Sequence, residues 1–200
     1  MLDSILGLTI LTSVIISPVS LPADFVMPET VIRQEIAQKT LDLNIRPEGF
    51  GENILIALRY LENQGKIGEI REPFEVAFAL YPGQVFAFHP NVLPEFADPA
   101  VTMNSYFLTT EGYKSVFGLG GNGVCHLASL INWAALEAGL QVTALANHDF
   151  FPIPGIDKKW GVSIMSTDPR QNLYIKNNLE EPVIFWFTAD TSRVELKILK

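Results

Sequence analysis

The hydrophobic and polar pattern divides the chain into an uncharged start, two helical stretches and a series of alternating segments. From Ser4 to Ala23 there is no charged residue, a run about as long as a bilayer crossing requires. Ile5 to Ile16, followed by small residues, also suits a secretory signal. Against both stand Asp3, with no Lys or Arg beside it, and the breaks at Pro18 and Pro22, so a buried first strand or helix is the alternative. Export or membrane anchoring through residues 1–23 is the expectation carried forward. Residues 24–43 read as a linker or a short helix opened by Pro28 and Glu29, with Val31, Ile32 and Ile36 on one side.

Residues 51–64 change period. Ile54, Ala57, Leu58 and Leu61 recur at helical spacing, and Gly65 follows where a helix stops. Glu75 to Leu80 reads as extended, Pro82-Gly83 as a turn, and Val85, Phe86 and Phe88 as a further strand. Residues 89–105 read as a long loop, the kind of segment that often forms a lid or a binding wall. Leu127, Leu130, Ile131, Ala134 and Ala138 then share one helical face, closed by Gly139. Beyond it the period becomes two, in Val142, Ala144 and Ala146 and again in Val194, Leu196 and Ile198. Segments 160–166, 171–176 and 182–188 are strand-like, with a turn at Asn177-Asn178. Short connections favour antiparallel pairing. The expectation is one α+β domain over residues 44–200, with a glycine-rich loop and central helix on a mainly antiparallel β-meander.

Composition narrows the functional classes. Lys plus Arg total 14 against 22 Asp plus Glu, a net charge of -8, and no basic cluster stands out. Nucleic-acid binding is disfavoured, because phosphate neutralisation needs grouped cations. The single cysteine leaves no intrachain disulfide. One Cys and three scattered His lack the short spacing of a zinc site, so no metal is expected. Gly120-Gly121-Asn122-Gly123 lacks the Lys and Ser/Thr of a phosphate-binding loop, and no cofactor is expected.

The candidate chemistry gathers around Cys125, in the first turn of the second helix, directly after that glycine-rich loop. Unpaired N–H groups and the helix dipole favour a thiolate there. Gly120, Gly121, Asn122 and Gly123 would leave room for a substrate or an oxyanion. His148, after the next strand, is the candidate base, and Asp157 the candidate orienter of its ring. His126 points about 100° away round the helix and reads as a surface or supporting residue. His89 is a second possible partner, with a capping or exposed histidine as the plainer account. A lone cysteine is equally a small buried hydrophobe.

At these residues the chain resembles the VanW-like family, named for an accessory protein of B-type vancomycin resistance clusters. The resemblance runs from about residue 44 to the end, through RPEGFGENILIALRYL, PGQVFAF, EGYK with GLGGNGVCHLASLINWAALEAGLQV, NHDF with PGID, and NLYIKNN. Three positions depart from the family pattern: His126 stands for a Gln, Lys158 for an Ala and Ala87 for a Ser. The resemblance implies a Gram-positive-type cell-envelope setting, on the extracytoplasmic face. Its Cys-helix, His-strand, Asp-strand order is similar in layout to the transglutaminase and papain-like thiol enzymes. Two functions follow as expectations. One is a thiol hydrolase or transferase acting on a wall peptide or envelope protein. The other is a non-catalytic envelope domain that binds a wall component or partner, with Trp133, Trp160 and Trp186 as candidate sugar-stacking rings.

Overall fold

The computed structural model describes residues 33–45, 47–63, 68–116 and 118–200. The segment expected to export or anchor the chain, residues 1–23, lies outside them. Among the described residues no helix is long and apolar enough to cross a membrane.

Among the described residues, ten strands and two α-helices make an α+β fold, as the alternating pattern predicts. In chain order they are β1 (Glu35–Asp42), α1 (Phe50–Asn63), β2 (Phe74–Leu80), β3 (Val85–Ala87), β4 (Val101–Thr102), β5 (Ser115–Val116), β6 (Leu119–Gly120), α2 (Val124–Glu137), β7 (Gln141–Ala144), β8 (Leu173–Lys176), β9 (Val183–Ala189) and β10 (Arg193–Leu199). One sheet has the order β1-β10-β9-β2 and is antiparallel throughout. The other has the order β4-β3-β8-β7, with β3 and β4 the parallel pair. β5 and β6 form a small hairpin.

Three expectations change. Residues 35–42, read as linker or short helix, are a full edge strand paired with β10 from Glu35 to Asp42. Its buried positions, Ala37 and Leu41, are too sparse in sequence to announce a strand. The meander is divided: β7 and β8 pair in one sheet, β9 and β10 in the other. Asn177 makes the switch between sheets, its side-chain amide donating to the Leu80 and Glu181 carbonyls and its oxygen accepting from Leu179 N–H. Residues 160–166 are not a strand. They run without a strand partner, beginning in a 3-10 turn at Lys158–Trp160.

The core explains the order of the layers. Phe78 of β2 stacks on Phe185 of its own sheet and on Phe86 of the other, at 4.7 and 5.1 Å between ring centres. α2 touches β1 and β10 of the first sheet and β7 and β8 of the second. Ten of its fourteen residues are buried, which is what a helix enclosed between layers requires. α1 lies against β2 and α2. The salt bridge from Lys39 to Glu137, 2.6 Å, ties the edge strand to the end of α2.

Candidate functional site

The glycine-rich loop is shaped by its own chain. Gly123 precedes α2 with φ 103°, and a Cβ there would lie 2.5 Å from the Phe50 carbonyl oxygen. At Gly121, φ 71°, a Cβ would lie 2.5 Å from the Cβ of Phe107. A side chain at either place would meet both a strained backbone and an occupied space. The close approach expected of a substrate at these two glycines is made instead by the start of α1 and by residue 107. Asn53, fully buried on α1, braces the loop from below. Its amide donates to the Asn122 and Lys114 carbonyls, and its oxygen accepts from Lys114 N–H at 2.7 Å. Sequence reasoning passed over Asn53; the available signal was a polar residue beside Ile54 on an otherwise apolar helix face.

Cys125 belongs to a ladder. Its Sγ accepts from Ile164 N–H at 3.4 Å and donates to the Ile164 carbonyl at 3.8 Å. One turn on, Ser129 Oγ accepts from Val162 N–H at 2.9 Å and donates to the Cys125 carbonyl at 2.7 Å. Asn132 then donates to the Trp160 carbonyl at 2.9 Å. Residues 125, 129 and 132 share one face of α2, and residues 164, 162 and 160 are alternate positions of an extended segment. This is why 160–164 is extended without joining a sheet: helix side chains take up its alternate backbone groups. Ser163 N–H donates outward to the Ala146 carbonyl at 2.9 Å.

The electrostatics follow from this enclosure. Burial raises the Cys125 thiol above its ordinary pKa, and its hydrogen bonding to Ile164 and to its own backbone only partly offsets that. The helix start therefore does not produce the lowered thiol expected from position alone, because desolvation of a thiolate outweighs it. The side chain is still partly exposed.

His126 is buried, at 2% exposure, and not a surface residue. Its ring meets His148 edge-on at 6.0 Å between centres and Phe50 at 5.6 Å. His148, in the loop after β7, is 6% exposed and packs on Phe150 at 4.2 Å. The Nδ1 atoms of both histidines are buried without a hydrogen-bond partner. Burial first, and the other imidazole second, lower His126 to about 4. Burial also lowers His148, against backbone hydrogen bonding and the Asp149 carboxylate. Both rings are thus neutral at pH 7.

The structure brings His126 and His148 together, and turns the Cys125 thiol to Ile164. Asp157 caps the 3-10 turn through a 3.1 Å bond from Lys159 N–H, while the carboxylate acting on His148 is that of Asp149. His89 is buried and bonded to the Gln171 carbonyl at 3.0 Å and to Asn172, so it holds the 89–105 loop to the start of β8. Trp133 and Trp160 stack on each other at 6.3 Å, with Lys39 over the first and Lys159 over the second; Trp186 is half-buried in β9. Among the described residues, no group of three or more His, Cys, Asp or Glu could hold a metal ion. Of eight large exposed apolar side chains among the described residues, Tyr106, Leu108, Leu145, Phe150, Phe151 and Met165 lie on segments bonded to this site. Ser166 donates to the Tyr106 carbonyl at 2.7 Å, and Ala146 accepts from Ser163.

A family model described as VanW like protein matches residues 77–199, more than half of the 200-residue chain. That span begins within β2 and includes the ladder and both histidines, whereas β1 and α1 precede it. No curated protein and no solved structure matches the chain.

Proposed function

The chain belongs to the VanW-like family, and from that premise we propose that it is a cell-envelope accessory domain that works by binding a peptide or protein partner, with Cys125 in a structural role. The observation that carries this reading is the ladder from α2 to residues 160–164. A thiol that both donates to and accepts from one backbone, and whose ionisation burial opposes, serves as a hydrogen-bonding hydrophobe. The glycines of the loop have a sufficient reason in Phe50 and Phe107. We assign the partner to Phe150, Phe151 and Met165, large apolar side chains left exposed on the loop of His148 and beside Ile164. A peptidic partner suits these aromatic and thioether side chains better than a glycan does, because Trp133 and Trp160 engage each other and neighbouring lysines. An extracytoplasmic location, with residues 1–23 as signal or anchor, accompanies this proposal.

The test is binding of the full-length chain to an envelope fraction, with variants on either side of the question. Phe150→Ala with Phe151→Ala is expected to lower retention at least tenfold, as aromatic anchors do at interfaces, while Cys125→Ala retains it. Binding that survives the aromatic changes and vanishes with the thiol would reverse the assignment.

The thiol-enzyme reading, with His148 as base and Asp157 as orienter, keeps one observation on its side. Cys125 is partly exposed, and the adjacent residue His126 and its neighbour His148 are neutral imidazoles, the form a base needs. It requires the thiol to leave Ile164 and turn to an imidazole. It predicts that Cys125→Ser abolishes function while leaving the fold intact.

A further inference from the structure

His126 and His148 are two buried polar rings that meet each other, each with an Nδ1 atom that has no partner. Buried unpaired polar atoms are rare enough to need a reason. His126 is the third residue of α2, just past the glycine-rich loop. His148 belongs to the loop between β7 and the 160–164 segment. Their contact is therefore a seam between the enclosed helix and the loop that carries Phe150, which is 74% exposed and lies against His148.

The seam depends on charge. A neutral imidazole carries one N–H; the protonated ring carries two and a full charge. Protonating His126 adds an N–H to a buried ring whose Nδ1 has no partner, and protonating either ring sets a cation against the neighbouring imidazole. The surroundings offer His126 little relief. α1 contributes Phe50, which is uncharged. α2 contributes Cys125, whose thiol is held by Ile164. The 157–161 segment contributes Gly161, whose α-carbon lies against the His148 carbonyl, and the exposed Asp157, Lys158 and Lys159, of which Asp157 is bonded to Lys159 N–H. The loop contributes the backbone of His148 and of Phe151 and the Asp149 carboxylate, all of which favour charge on His148, whereas His126 has only burial and the other imidazole acting on it. His148 is accordingly the ring that takes the first proton, and His126 the ring that cannot accept a charged neighbour.

We propose that the His126–His148 contact is an acid-sensitive latch, closed while both rings are uncharged and opened by protonation, which frees the 145–151 loop and its aromatic residues from the start of α2. The device does not depend on whether the domain binds or catalyses. It makes the presentation of Phe150 and Phe151 a function of pH below neutrality, before the sheets are affected.

Hydrogen exchange of the full-length chain, corrected for the intrinsic pH dependence of exchange, tests this between pH 7.5 and 4.5. Peptides covering 145–151 are expected to lose protection at least tenfold across that range, while β9 and β10 keep theirs. His126→Gln and His148→Gln, which cannot take up a proton, are expected to flatten the loop's pH response. The account is overturned if the loop's protection is constant, if it changes together with β9 and β10, or if the response persists in both variants. Should neither variant fold, the imidazole C–H resonances of the unaltered chain decide. Two rings titrating independently near 6.5 would overturn the latch, and depressed, mutually dependent titrations would support it.

Discussion

Cys125, Ser129 and Asn132 return to one side of α2 because the helix repeats every 3.6 residues, and each meets an alternate backbone position of residues 160–164. Ser129 is the rung with most at stake, since it satisfies both Val162 N–H and the Cys125 carbonyl. Ser129→Ala leaves the Val162 N–H buried without an acceptor and is expected to cost about 1–3 kcal/mol, readable from a urea midpoint. Cys125→Ser is expected to cost about 1 kcal/mol, as the hydroxyl can still donate to and accept from Ile164 once the backbone closes by a few tenths of an ångström on the shorter C–O bond. A cost above that of Ser129→Ala would mean that the thiol fills space the ladder does not describe. The chain's sequence announced the position of Cys125 but not its partner. Helix and glycines are local signals, whereas Ile164 lies 39 residues away and nothing in its side chain advertises a backbone bond.

At the scale of elements, what could be read followed periodicity. α1 and α2 were predictable because their apolar residues recur at helical spacing, and β10 because its apolar residues alternate. β1 escaped notice because an edge strand needs few buried residues and its partner, β10, is at the far end of the chain. Residues 160–166 look like a strand because alternate positions from Trp160 to Ile164 do bond to one neighbour; that neighbour is a row of α2 side chains and not a strand. Of the two readings of His126, surface or supporting, burial removes the first, because α2 is buried on nearly all sides, which a single-face pattern does not convey. Asn53 links α1 to the glycine loop, and Asn53→Ala removes three bonds in a fully buried place. A loss of roughly 2–4 kcal/mol is expected, with hydrogen exchange rising first at residues 114–123. Faster exchange confined to α1 would show that the brace is not what holds the loop.

For the whole molecule, acid is the revealing condition. His126 is lowered to about 4 in the fold from an ordinary 6.5, so it is uncharged in both folded and unfolded chains at pH 7. Its contribution is therefore complete above 6.5. As pH falls through 6.5 the unfolded chain takes up a proton that the folded one refuses, and stability is lost until pH approaches 4. At about 1.4 kcal/mol per pKa unit, the loss reaches roughly 3 kcal/mol. His126→Gln is expected to remove most of that slope in urea unfolding measured from pH 7 to pH 4.5, leaving the part owed to His148 and the carboxylates. An unchanged slope would place the acid sensitivity elsewhere. The α+β class and the family were legible in the sequence because both rest on order along the chain. The partners that the thiol and Asp157 take, Ile164 and Lys159 N–H, were not, because residues in a plausible order carry no information about which way their side chains turn.

The most direct measurement is the rate of Cys125 alkylation in the folded full-length chain across pH 6 to 10, beside His148→Ala. A thiol that serves as a rung of the ladder reacts more slowly than a free cysteine, with its inflection above the ordinary value of about 8.5, and is indifferent to the His148 change. Fast alkylation at pH 6 to 7 that disappears in His148→Ala would show a thiolate–imidazole pair and contradict the structural account of Cys125.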